Sequence, residues 1–147
     1  MLFDLDTLAW CFGELGEVRA SVVRDATGSI RHACALLDFR GVRADVEASF
    51  LLPRSHPFTT TLSALCERGM VEGKFSAPPD GPPTARCSLY PREGPPAFED
   101  ALGPDPIHEE CRHFARVVAG EAPPDLLDGL HAVTALRMAE RIRAAAW

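Results

Sequence analysis

The chain has 147 residues, 46% of them apolar and 24% charged, and its formal net charge is −6. That length is one ordinary domain and can bury a single apolar core without disulfide or metal staples. The acidic balance argues against nucleic acid as a partner, and no apolar run approaches the ~18 residues that a membrane span requires.

Residues 2–12 place Leu2, Leu5, Leu8, Ala9 and Phe12 on one helical face. Asp4 and Asp6 sit near the start, where free amides and the helix dipole favour carboxylates, and Gly13 is a natural stop. The period then changes to two. Val18, Ala20 and Val22 alternate with Arg19, Ser21 and Val23, a turn follows at residues 26–29, and a less polar run extends from Ile30 to Arg40. This second run is expected to be a central strand. After the Arg40-Gly41 turn, Val42 to Leu52 alternates strictly, with Arg43, Asp45, Glu47 and Ser49 on the polar side. Pro53, His56 and Pro57 interrupt it. Phe58 to Leu65 and Met70 to Phe75 read as two more strands about the Glu67-Arg68-Gly69 turn.

Most of the prolines lie in 77–84 and 91–106, which are read as irregular because proline fixes φ and donates no hydrogen bond. Between them Ala85 to Tyr90 is expected to be a strand at a sheet edge. Asp105-Pro106 supplies a cap and an N1 proline for a helix with Ile107, Cys111, Phe114 and Val118 on one face, ending at Gly120. A last helix is expected from a cap at Asp125 to about Arg143, with a stripe of Ala132, Ala135, Leu136, Ala139 and Ile142 and with Arg137, Glu140 and Arg141 turned away. Strands in one block with helices at the ends give the α+β class: one mostly antiparallel, open-faced sheet of about six strands with helices packed on one face. The whole of 1–147 is expected to be one domain.

Five cysteines at wide spacing, with no C-x-x-C pair, suggest small buried hydrophobes in a reducing cytosol. No secretory signal is visible at the N-terminus, so a cytoplasmic location is expected. The abundance of Ala, Arg and Pro, with Lys74 the only lysine, suggests a high-GC bacterial genome. His108, Cys111 and His113 do not converge on one helical face, so no metal site is expected there or elsewhere. Ser55 and His56 are adjacent and lack an orienting acid, which argues against a nucleophile and its base. Trp10 is expected in a core or inter-domain contact rather than as a substrate platform. The sheet face of Arg43, Asp45, Glu47 and Ser49, with apolar area added by Leu51 and Leu65, is the expected interface of a homo-oligomer, most simply a dimer.

Phe3-Asp4-Leu5-Asp6-Thr7-Leu8-Ala9-Trp10-Cys11-Phe12-Gly13 resembles the H-D-x-D-x-x-x-W-x-x-G helix of the Gfo/Idh/MocA oxidoreductases. The likeness continues in order. Gly13-Glu14 and Val18 resemble the family's G-E-x-x-x-V, and Cys34 to Val42 its a-x-l-x-F-x-x-G hairpin. Glu67 to Gly73 is similar to its G-x-x-G hairpin, and Asp105 to Phe114 to its P-x-x-x-E-x-x-H-F helix. The resemblance implies the C-terminal, sheet-rich domain of an enzyme that moves a hydride between NAD or NADP and a sugar, cyclitol or related polyol. It implies a domain that shapes the substrate pocket and makes the oligomer through its open sheet face. Asp6 matches the family's second aspartate, a substrate-hydroxyl partner, and Asp4 the neighbouring acidic position. The family's histidine position is Phe3, whose ring cannot shuttle a proton. No catalytic residue is therefore assigned. The family's E-K-P lysine has no counterpart here, and nothing reads G-x-G-x-x-G after a strand. The chain is expected to bind no cofactor and to be inactive alone, with NAD or NADP belonging to a full-length parent.

Two other readings stand beside this one. The chain could be a stand-alone small-ligand-binding or scaffolding module derived from that domain, which a promoter directly upstream of the gene would favour. It could instead be a hydrolase or isomerase on an unrelated α+β fold, which a pocket of convergent acid and base groups would favour.

Overall fold

A computed structural model describes residues 1–124 and 129–146. Three helices and seven strands follow in the order α1 (Leu2–Phe12), β1 (Val18–Arg24), β2 (Ile30–Phe39), β3 (Val42–Ser49), β4 (Phe58–Cys66), β5 (Gly69–Ala77), β6 (Thr84–Pro91), β7 (Ala97–Asp100), α2 (Pro106–Val118) and α3 (Gly129–Ala145). All strand pairs are antiparallel, so the fold is α+β as the sequence implies. The hydrogen bonding makes two sheets where one of about six strands was expected: β1-β2-β3 and β4-β5-β6-β7. Pro53 and Pro57 lie in the connection between β3 and β4, which forms no strand. The described residues divide into two compact units, Met1–Leu51 with Phe114–Trp147, and Leu52–His113.

The first unit is built on a two-residue hairpin. Arg40 and Gly41 both have positive φ, 49° and 99°, the backbone of a turn whose twist matches that of its strands. The turn sets the register outward from the Phe39–Val42 pair, and β2 is the central strand, as expected. Ala33, Ala35, Leu37 and Phe39 then share one face of β2 and are buried, together with Ala20 of β1 and Val46 of β3. Leu5 and Ala9 of α1 and Ala135, Met138 and Ile142 of α3 are buried in the same core. Alanines on both sides leave room for close approach of helix and sheet. Phe12 closes one end against Phe39, ring centroids 5.9 Å apart. The buried stripe of α3 runs through Met138. Leu136 and Ala132, placed on it from the sequence, are exposed. Ala135, Met138 and Ile142 follow i, i+3, i+7, and Leu136 lies about 100° around the helix from Ala135. The expected cap at Asp125 lies outside the described residues.

Two polar devices tie this unit together. Arg141 of α3 donates to the Leu15 carbonyl at 2.8 Å and also to that of Gly16, fastening the helix to the segment between α1 and β1. In the β1–β2 turn, Asp25 Oδ1 accepts from the Thr27 hydroxyl at 2.6 Å and from the amides of Thr27 and Ser29 at 2.9 and 3.1 Å. The Thr27 hydroxyl first, and then these amides, hold the Asp25 carboxyl below the usual range.

In the second unit the prolines mislead. Ala97–Asp100 lies inside the segment read as irregular, yet it pairs with β6 over Arg86–Leu89. Phe98 explains the pairing: its ring stands edge-on to Tyr90 at 6.0 Å, and the Arg86 guanidinium lies 4.7 Å above it. β6 is consequently an interior strand, and β7 takes the edge assigned to β6. Helix α2 starts where the sequence places it, with the Ile107 amide donating to Asp105 Oδ1 at 2.9 Å. Its stripe of Ile107, Cys111, Phe114 and Val118 is exposed throughout.

Candidate functional site

Helix α1 presents two sides. Leu5 and Ala9 face the core, while Phe3 and Trp10, seven residues apart, are 87% and 70% exposed. Trp10 is therefore no core residue of this chain. Between these sides lies Asp6. Its Oδ1 is buried and has no hydrogen-bond partner among the described residues. A carboxylate oxygen in that condition loses water without gaining a donor, which is costly unless a ligand hydroxyl or amide supplies one. Asp4 differs: its Oδ2 lies 2.8 Å from the Met1 amino group. Phe3 brings only carbon to this helix face, and the Thr7 hydroxyl beside it donates to the Phe3 carbonyl at 3.0 Å.

The sheet face opposite α1 and α3 is the second candidate surface. Period two brings Arg19, Ser21 and Val23 of β1, His32, Cys34, Leu36 and Asp38 of β2, and Arg43, Asp45, Glu47 and Ser49 of β3 to that side. Arg43, Asp45 and Glu47 are exposed and Ser49 is half-buried. Charges cross the hairpin here, with Arg43 Nε 4.0 Å from Asp38 Oδ2. A depression of about 150 Å³ lies beside this pair, lined by Glu17, Arg19 and Leu36 among others. It is below the roughly 300 Å³ at which organic-ligand pockets begin. Leu36 and Val23 add exposed apolar area on the same face, and Leu51 is exposed at the end of the unit.

Within this face His32, Cys34 and Glu47 bring a nitrogen, a sulfur and a carboxylate oxygen within 4.8 Å of one another. His32 Nε2 is 3.2 Å from Cys34 Sγ, and His32 Nδ1 is 4.0 Å from Glu47 Oε1. The sequence reading passed over this trio. Its signal was an H-x-C pair on one strand with a glutamate across a two-residue turn, and it becomes visible only when the register is counted outward from Arg40-Gly41. The trio weighed instead, His108, Cys111 and His113, is not among such clusters in the described residues. His113 Nε2 is buried without a hydrogen-bond partner among the described residues, whereas His108 and Cys111 are exposed. His56 Nδ1 pairs with the Pro57 carbonyl at 2.7 Å.

In the second unit one face of the four-stranded sheet carries an open groove of about 900 Å³. Lys74 stands opposite Arg86, and Arg86 opposite Asp100, so the groove is lined by charges of both signs together with Glu72, Tyr90 and Phe98. Leu65, expected to enlarge the oligomer face, is exposed. No helix among the described residues is long and apolar enough to cross a membrane.

No family model and no curated protein matches the sequence. Solved structures do match. UDP-N-acetylglucosamine 3-dehydrogenase GnnA from Acidithiobacillus ferrooxidans is similar over 99% of this chain and 45% of its own, with a TM-score of 0.70 and 21% identity. YPO2259 from Yersinia pestis and yvaA from Bacillus subtilis, both named as candidate oxidoreductases, are each 14% identical, with TM-scores of 0.69 and 0.67. Each is covered over 98% of this chain and over 45% and 47% of its own length, respectively. The chain thus spans less than half the length of the structures it matches. The likeness is one of fold: this chain is built as the corresponding part of those structures is built.

Proposed function

We propose that residues 1–147 act together as the substrate-side and oligomerising domain of a cytoplasmic, nicotinamide-dependent oxidoreductase whose substrate is a sugar, cyclitol or related polyol. The observation that carries this reading is the fold match over 99% of the chain to 45% of a UDP-sugar dehydrogenase. Two features of α1 support it. Asp6 offers a buried, unpartnered carboxylate oxygen, the acceptor that a polyol hydroxyl requires. Phe3 and Trp10 expose large apolar surface on the same helix, as a helix bordering a further domain would. Asp4 is the second proposed substrate contact. The open face bearing Arg43, Asp45, Glu47 and Ser49 is the proposed homo-oligomer surface.

In this reading NAD or NADP is held by polypeptide other than this chain, whose sequence offers no Gly-rich phosphate cradle. What these residues supply is binding and orientation. A catalytic proton would come from a group other than Phe3. The isolated chain should give no calorimetric signal with NADH or NADPH, and micromolar affinity for either would contradict the proposal. In an enzyme carrying both domains, Asp6→Asn should raise KM for the polyol about 10-fold or more, since a hydrogen bond to a charged acceptor contributes ~1.5–3 kcal/mol.

A further inference from the structure

The open face of the three-stranded sheet, which shares Glu47 with the proposed oligomer surface, carries a nitrogen, sulfur and oxygen donor set that oligomerisation does not require. The Arg40-Gly41 hairpin sets Cys34 directly opposite Glu47, and the pleat places His32 on the same side, two residues before Cys34. His32 and Cys34 are half-buried, while Glu47 is exposed. A zinc ion takes sulfur at about 2.3 Å and nitrogen or oxygen at about 2.0–2.2 Å, so tetrahedral ligands stand roughly 3.3–3.7 Å apart. The imidazole Nε2 and the thiol are 3.2 Å apart, just inside that spacing, so a small outward adjustment admits the ion, and all three ligand atoms fall within 4.8 Å. The exposed Glu47 side chain has the freedom to close the remainder. Two ligands are thus preset by the backbone of a central strand, and the third is a flexible carboxylate.

Donor chemistry selects the ion. A thiolate with an imidazole disfavours magnesium and calcium, which take oxygen, and favours zinc and its soft or borderline neighbours. Three protein ligands leave one position open, and it faces away from the core formed with α1 and α3. We infer that His32, Cys34 and Glu47 bind a zinc-class divalent ion on the open sheet face, with water or a small donor in the fourth position. The inference rests on the hairpin geometry alone and stands or falls apart from the oxidoreductase reading.

Zinc and cobalt(II) are the probes, used on the intact chain at a protein concentration whose assembly state is measured by light scattering. Competition with a chromophoric chelator should give one zinc per chain with micromolar affinity or tighter. Cobalt(II) should show tetrahedral visible bands and a sulfur-to-cobalt charge-transfer band. Because the thiol must lose its proton, binding should release protons, seen as a heat that varies with the buffer's own ionisation enthalpy. Cys34→Ser should abolish the charge-transfer band. Loss of an outer-sphere partner alone weakens metal sites about 10–100-fold, so Cys34→Ser and His32→Gln should each weaken zinc by ~10-fold or more. Circular dichroism establishes that each variant is folded. The controls Cys66→Ser and Cys111→Ser, at exposed thiols, should change nothing. Absence of the charge-transfer band in the unmodified chain, unchanged affinity in folded Cys34→Ser, or loss of binding in either control would overturn the assignment.

Discussion

The two units solve the problem of a β-sheet's second face differently. In the first, α1 and α3 cover one side of three strands, and every buried apolar residue among those described belongs to this unit. In the second, four strands hold the longer ladder, yet the one residue buried there is Ser88. Phe58, Leu62 and Leu89 lie at large exposure on the sheet, and the local order comes from main-chain hydrogen bonds and ring contacts such as Phe58 with Phe75, 6.3 Å apart. A ladder and a core are therefore separable. Hydrogen bonds exchange for water at small net gain, while burial supplies the larger driving force. The first unit has both; the second has chiefly the ladder.

The sharpest way to break this contrast is to truncate one leucine in each unit. Leu37, 2% exposed at the centre of the first core, should lose about 2–5 kcal/mol on substitution to alanine. Leu62, 53% exposed on the second sheet, should lose ~1 kcal/mol or less. Urea denaturation of both variants measures the difference. Equal losses would mean that the second sheet's apolar face is covered in solution, and the contrast would fail.

A backbone substitution should sharpen the contrast from the other side. Gly69 opens β5 at φ 151°, and a Cβ there would strike the Tyr90 carbonyl and come within 2.9 Å of Pro91 Cα on β6. Only glycine avoids both the conformation and the collision. Gly69→Ala should cost about 1–3 kcal/mol, and the loss should be confined to amide protection of β4–β7 in hydrogen exchange. Loss of protection spread equally through β1–β3 would show that the two ladders melt as one.

The same division explains what could be read from residues alone. Val42–Ser49 alternates because one of its faces packs inward at Val46, so the strand, its turn and its polar side are visible in the sequence, but the alternation runs on to Leu52 while the strand ends at Ser49 and leaves Phe50 and Leu52 exposed. Helix α1 was visible for the same reason, its apolar positions repeating at helical spacing. The second sheet lacks a covered face and so lacks a clean alternation; prolines hide β7, and without β7 the interior strand β6 reads as an edge. The α3 stripe was drawn one notch around the helix because leucine and alanine at 136 and 132 fit an apolar face as well as Met138 does. Of the candidate site, Asp6 was reached through its motif position, but the unpartnered state of its oxygen depends on tertiary burial, which no local pattern carries. His32, Cys34 and Glu47 needed the hairpin register, which a two-residue turn supplies.

The smallest expected effect lies in the first unit, at its surface, where the core should matter little. The Asp25 carboxylate accepts three hydrogen bonds in the β1–β2 turn, and it titrates below the usual range because the Thr27 hydroxyl and the turn amides favour the anion. A folded-state pKa below the unfolded one means that the anion's contribution is fully present above the unfolded value, near pH 4, and is lost as pH falls through the lowered folded value. Asp25→Asn keeps an oxygen for the amides but removes the charge. The variant should therefore be slightly less stable than the parent at neutral pH, and the two should converge in acid, as thermal melts across that range would record. A carboxyl-carbon NMR titration of the parent should place the Asp25 midpoint below that of exposed aspartates. A gap between the melts that widens toward acid would reverse the sign and remove the turn from the first unit's stabilising devices.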